Sequence, residues 1–136
     1  MHPKYEQAMS LTGKVIGAAI EVHRHFGPGL LESIYEWALI RELELAGISC
    51  LNQEFLSIQY KGATKTEQLR FDVLVEACIL VEVKSVEAVL PIHKAQLLSY
   101  LKLMNIPVGL VINFHEQKLV DGVSRLFLPS AADKSN

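Results

Sequence analysis

Apolar positions recur at helical spacing in three stretches of this chain and at strand spacing between and after them. Val15, Ile16, Ala19, Ile20 and Val22 predict a helix over residues 11–25, with Thr12 as its N-cap. Gly27-Pro28-Gly29 breaks it. Leu31, Ile34, Tyr35, Ala38, Leu39 and Leu45 predict a second helix over 31–46, closed by Gly47. The period then changes. Residues 54–60 read as a strand ended by Lys61-Gly62, and residues 69–75 and 79–84 as a tight antiparallel pair. Pro91 suits a first helical turn and Asn105-Ile106-Pro107 a stop, giving a third helix over 91–104. Residues 108–113 form a core strand and 123–128 an edge strand. The order is helix, helix, three strands, helix, strand, strand. It describes an α/β fold: a three-stranded antiparallel meander, then a crossover helix leading to further strands, with the first two helices packed on each other and on the sheet.

The length of 136 residues suits one domain, expected over residues 5–129, with 1–4 and 130–136 as disordered ends. A chain of this size buries roughly two-thirds of its unfolded surface, enough for a core. Half the residues are apolar, yet no apolar run approaches the roughly 18 needed to cross a bilayer. The first six residues lack the apolar core of a signal peptide, so a cytoplasmic location with no membrane partner is expected. Cys50 and Cys78 form no C-x-x-C pair and read as free thiols in a reducing compartment. The net charge of −2 argues against a protein that coats nucleic acid non-specifically. It leaves room for a local basic patch drawn from Lys61, Lys65, Arg70, Lys84 and Lys94, although a solvated surface is the simpler reading of Lys61 and Lys65.

The chemistry lies in the paired strands. Asp72 sits in Phe71-Asp72-Val73-Leu74-Val75, and Glu82 and Lys84 in Ile79-Leu80-Val81-Glu82-Val83-Lys84. Side chains two apart on a strand share a face, roughly 7 Å from one another. Charges among Val, Ile and Leu are costly unless paired, metal-bound or functional. For Asp72 to join Glu82, residue 72 must lie opposite 82 and 75 opposite 79, across a three-residue loop of Glu76-Ala77-Cys78; a two-residue turn would pair 72 with 81 and separate the acids. In that register one face carries Arg70, Asp72, Leu74, Leu80, Glu82 and Lys84. The other carries Leu69, Phe71, Val73, Val75, Ile79, Val81 and Val83 and must be core. Two close carboxylates favour a divalent cation between them, and oxygen donors suit Mg2+ or Mn2+. A lysine beside the metal could orient or deprotonate water, or stabilise charge building on a phosphate. The alternative is a structural cluster of two ion pairs, Asp72–Arg70 and Glu82–Lys84.

Asp72 followed after a short hairpin by Glu82-Val83-Lys84 resembles the core motif of the PD-(D/E)XK nuclease superfamily. Gly29-Leu30-Leu31-Glu32-Ser33-Ile34-Tyr35 is similar to the signature of its GxxExxY branch. Tyr60-Lys61-Gly62, Ala95-Gln96-Leu97-Leu98-Ser99-Tyr100-Leu101 and Pro107 to Phe114 continue the likeness, which spans residues 11–128. Phe71 departs from the superfamily's Pro. The resemblance implies a restriction-endonuclease-like three-layer core with a mixed central sheet, and a metal-dependent nuclease that hydrolyses phosphodiester bonds in DNA or RNA. It implies Asp72 and Glu82 as metal ligands, Glu32 as a helical acid supporting them, Lys84 as catalytic lysine and Gln96 as a site residue, with Mg2+ or Mn2+ as cofactor. Tyr100 lies one turn from Gln96 on the same helix face. His93, one turn before Gln96, could face the site. His23 falls in the family pattern near Glu32, with helix-end packing as its alternative. Tyr35 is a candidate for lining the site, though it and Trp37 read most simply as core. Resolvase-like enzymes often act as dimers, so a homodimer is a further expectation. Two other readings stay open: a non-catalytic nucleic-acid-binding or assembly protein that keeps the fold, and hydrolysis of a different phosphate ester.

Overall fold

The computed structural model describes residues 1–129, 131 and 132; Ser130 and residues 133–136, part of the expected tail, lie outside the described residues. Three helices and five strands follow the order α1 (Tyr5–Phe26), α2 (Glu32–Leu45), β1 (Cys50–Tyr60), β2 (Ala63–Val75), β3 (Ile79–Lys84), α3 (Pro91–Met104), β4 (Val108–Asn113) and β5 (Val123–Phe127). A 3₁₀ turn over Leu119–Gly122 precedes β5. No helix among the described residues is long and apolar enough to cross a membrane.

α1 starts well before Thr12, which is not an N-cap. Its buried residues Ala8, Thr12, Val15, Ala19 and Val22 step by four and three along one face. Thr12 sits inside that face because its hydroxyl donates to the Met9 carbonyl at 2.9 Å. The first residues are docked as well, against the expectation of disorder. The backbone N–H of His2 donates to the Ala131 carbonyl at 2.8 Å, and its ring Nε2 bonds the Asn105 carbonyl at 2.9 Å. α2 buries Tyr35, Ala38, Leu39 and Leu43. Trp37 is two residues, about 200°, around the helix from Tyr35. It is therefore 67% exposed and not core. Gly47 follows the helix in the left-handed region (φ +76°), where a side chain would be strained.

The sheet runs β1-β2-β3-β4-β5. β3 and β4 are parallel, joined over the top by α3; every other neighbouring pair is antiparallel. β1 and β2 are longer than their apolar pattern. Tyr60 pairs with Ala63 across Lys61-Gly62, both at positive φ, a two-residue hairpin turn. Residues 63–68 were not expected as strand, because they are polar and almost wholly exposed.

Two cores flank the sheet. α1 and α2 cover Val73, Val75, Ile79, Val81, Val83, Val108, Leu110 and Ile112 on one face. α3 covers Leu74, Leu80 and Val111 on the other through Leu97 and Leu101. Gly109 lets α3 lie close: a Cβ there would come within 3.0 Å of the Leu97 side chain. β2 pairs β3 through Val73–Val81, Leu74–Leu80 and Val75–Ile79, which matches the expected pairing of 75 with 79, but the ladder stops short of 72 opposite 82 and 70 opposite 84. Glu76 and Ala77 turn the hairpin with φ of +49° and +54°. Glu76 is held there, its N–H donating to the Ser49 carbonyl and its carboxylate accepting the Ser49 N–H at 2.8 Å.

Candidate active site

The ladder between β2 and β3 ends at Val73–Val81, although both strands continue. Where they part, Oδ2 of Asp72 accepts the backbone N–H of Val83 at 2.7 Å. A side-chain carboxylate thus takes the place of a lost strand partner. β2 is also displaced on its other side. From Leu51–Leu74 to Gln53–Arg70, β1 advances two residues and β2 four, so β2 carries two extra residues. The bulge shifts the alternation. Phe71, expected on the apolar face with Val73, packs instead against the core beneath α3.

β3 keeps its alternation because it stays paired with β4 through Glu82–Val111 and Lys84–Asn113. Val81 and Val83 are buried against α1 and α2, which turns Glu82 and Lys84 to the opposite face. The Lys84 ammonium lies 3.4 Å from Oε1 of Glu82, with both side chains about four-fifths buried. Of the two ion pairs in the structural alternative, only this one forms among the described residues. Lys65 pairs with Glu67 at 3.5 Å and Lys61 lies over the Tyr60 ring, so neither joins the acids.

Asp72, Glu82, Gln96 and Tyr100 line one cavity of about 110 Å³, together with Arg70, Phe71, Leu80, Val81 and Leu97. α3 supplies Gln96 and Tyr100 from one face. Glu32 stands at the start of α2, where Oε2 accepts the Ser85 N–H at 3.0 Å. The Ser85 hydroxyl donates to the Leu30 carbonyl at 2.7 Å. The chain leaving β3 is thereby stitched to the entry of α2. Burial raises the pKa of Asp72; the charges of Glu82 and Glu32 raise it further, while the Val83 N–H and Lys84 pull it back.

A model of the family described as the PD-(D/E)XK nuclease superfamily matches residues 9–126. The chain belongs to the PD-(D/E)XK nuclease superfamily. The three helices and five-stranded mixed sheet agree with its restriction-endonuclease-like fold. No curated protein and no solved structure matches the chain. Membership supports a nuclease-type function and a nucleic-acid substrate.

The remaining candidates from the PD-(D/E)XK reading fall elsewhere. Tyr35 is fully buried, stacked on Phe114 at 4.5 Å between centroids. Its hydroxyl donates to the Gly27 carbonyl at 2.5 Å and accepts the Leu30 N–H at 3.0 Å, which fixes the turn before α2. His23 bonds the Glu116 carbonyl through Nε2 at 2.7 Å. His93 accepts the Leu90 N–H on Nδ1 at 3.1 Å, closing the start of α3.

Two residues that sequence reasoning did not single out belong to the neighbourhood. Glu36 lies one turn beyond Glu32, and that i, i+4 spacing was the signal available. Its carboxyl is pushed up to about 7, first by burial, then by the charge of Asp72 and a hydrogen bond to it, then by Glu32. Asn113, at the end of β4, is 2% exposed. Its Oδ1 accepts the Val86 N–H at 3.1 Å and its Nδ2 donates to the Val86 carbonyl at 2.8 Å. It latches the loop that follows Lys84; no local pattern marks such a latch.

A divalent cation in a PD-(D/E)XK site needs hard oxygen donors. Among the described residues no group of three or more His, Cys, Asp or Glu side chains gathers as metal donors. Asp72 and Glu82 lie on one cavity and repel each other. Carboxylate oxygens of this kind are the donors that suit Mg2+ or Mn2+. Glu32, engaged with Ser85, anchors the surroundings.

Proposed function

We propose that this protein is a metal-dependent nuclease of the GxxExxY branch that hydrolyses phosphodiester bonds in DNA or RNA, within a single domain over residues 5–129. One observation carries the reading: Asp72 and Glu82, from two diverging strands, meet Gln96 and Tyr100 on one cavity, with the Lys84 ammonium at 3.4 Å from Glu82. The branch assignment draws support from the roles of its motif. Gly29 adopts φ +93°, Glu32 holds the Ser85 amide, and Tyr35 locks the turn from Gly27 to Leu30 that contains Gly29.

Asp72 and Glu82 would hold Mg2+ or Mn2+, with Glu32 in support and the Val83 carbonyl as a further donor. A bound cation would polarise the phosphate and lower the pKa of water. Lys84 stabilises negative charge building on the phosphate and assists the attacking water, and Gln96 positions water or phosphate. A cleavage screen of single-stranded, duplex and branched DNA and RNA with Mg2+ and Mn2+ tests the reading. Cutting by the wild type should fall about 100-fold or more in Lys84→Ala, as when a group stabilising transition-state charge is removed. Equal rates would sink it.

The net charge of −2 favours a second reading, a non-catalytic binding or assembly protein that keeps the fold. Calorimetry with Mg2+ and Mn2+ separates the two. Heat of binding that is lost in Asp72→Ala supports the enzyme; no heat in the intact protein supports the alternative.

A further inference from the structure

Asp72 also lines a second cavity, which the proposed reaction does not use. It holds about 270 Å³ and is lined by Glu36, Asn52, Gln53, Arg70, Phe71 and Asp72. It sits where β1 and β2 slip register, a device that re-aims side chains beside functional sites. Arg70, Phe71 and Asp72 line both cavities, so a ligand in one abuts the other.

The lining is unlike that of the first cavity. Asn52 and Gln53 are exposed and carry amides, each a donor beside an acceptor. Arg70 forms no ion pair among the described residues and offers a fork of donors. Amides and guanidinium groups are the side chains that read nucleobase edges bidentately. The charges argue against a bare phosphate, because Glu36 and Asp72 stand on the wall and would repel an anion. A neutral, flat, polar group suits it better. The volume lies just below the roughly 300–1,000 Å³ of drug-sized pockets, room for one base but not for a duplex.

We propose that this cavity receives the nucleobase next to the reacting phosphate and that Asn52, Gln53 and Arg70 read its edge. The proposal rests on the nuclease reading, since the adjoining phosphate would lie over Asp72 and Glu82.

Two measurements test it and keep its failure apart from failure of that reading. The first maps cut positions on a random-sequence oligonucleotide pool with Mn2+. The wild type should prefer one base at a single position beside the cut by about fivefold or more. In Asn52→Ala, Gln53→Ala and the double variant that ratio should fall towards one. A wild type that cuts with no preference, or variants that keep it, overturns the proposal. The second needs no cutting. The four nucleoside 5′-monophosphates are titrated into the metal-free protein while backbone amide NMR shifts are followed. Base-dependent shifts at residues 52, 53 and 70, lost in Gln53→Ala, support the subsite even if the wild type cuts nothing. Shifts that ribose 5-phosphate reproduces, or none at these residues, overturn it.

Discussion

Glu36 carries a pH signature that follows from its surroundings. Its carboxyl rises from 4.5 to about 7, by burial first and then by Asp72 and Glu32. Below about pH 4.5 it is protonated in the folded and the unfolded chain alike, and the site imposes no cost. Between there and about 7 the folded protein holds a proton that the unfolded chain has released, so stability falls as pH rises. Asp72, also raised, pulls in the same direction from a lower starting point. The urea midpoint of the wild type should therefore drop between pH 4.5 and 8. Glu36→Gln, which keeps shape and removes the charge, should flatten that slope and exceed the wild type at pH 8. Parallel curves for the two proteins would place the effect elsewhere. The thiols give a second check at this scale. Cys50 is pushed up to about 11 by burial and then by Glu44 and Glu76. Burial likewise raises Cys78. Thiolate is scarce for both at neutral pH, so a thiol reagent should modify the native protein slowly and the urea-unfolded chain fast.

Helices and strands with a buried face were legible, and elements without one were not. β3, α3 and β4 were read from alternation or helical spacing with the bounds they have, because each buries apolar side chains. The outer half of β2 escaped, because residues 64–68 are held by their ladder to β1 and not by a core. Thr12 misled because a polar residue near an apolar run looks like a cap, whereas its hydroxyl is satisfied inside the helix. Two glycines test element packing. At Gly122 a new Cβ would run into the Asn113 backbone carbonyl, which cannot turn away as a side chain can. At Gly109 it would meet the Leu97 and Leu101 side chains, at 3.0–3.2 Å, which can shift more readily than a backbone carbonyl. Gly122→Ala should thus destabilise more than Gly109→Ala. Gly109→Val, which overpacks α3 against the sheet, should cost about 1–3 kcal/mol. Urea unfolding of the three variants gives the ranking.

The molecule combines a firmly packed centre with an exposed ribbon. Neither core includes a residue between Leu51 and Arg70, and Phe55 and Tyr60 are each 70% exposed. Amides of the outer ribbon should exchange with solvent at a much lower opening free energy than those of β3 and β4, which hydrogen exchange will show. If Asp72 and Glu82 hold a cation, Mn2+ at 100 times its dissociation constant should stabilise the wild type by about 2.7 kcal/mol and leave Asp72→Ala unmoved. Thermal unfolding with and without metal reads that difference. By itself the sequence determined the elements with buried faces, the hairpin register that pairs Val75 with Ile79, and the side that Glu82 and Lys84 share. Each follows from periodicity, which records whether a position meets core or water. Tertiary structure decided which charges meet across elements. It bent β2 so that Phe71 changed sides, gave Asp72 to the Val83 amide, tied Glu32 to Ser85 and brought Glu36 against Asp72. Those outcomes depend on how α2 lies over a bulged, parting pair of strands, and distances between elements leave no period in the chain.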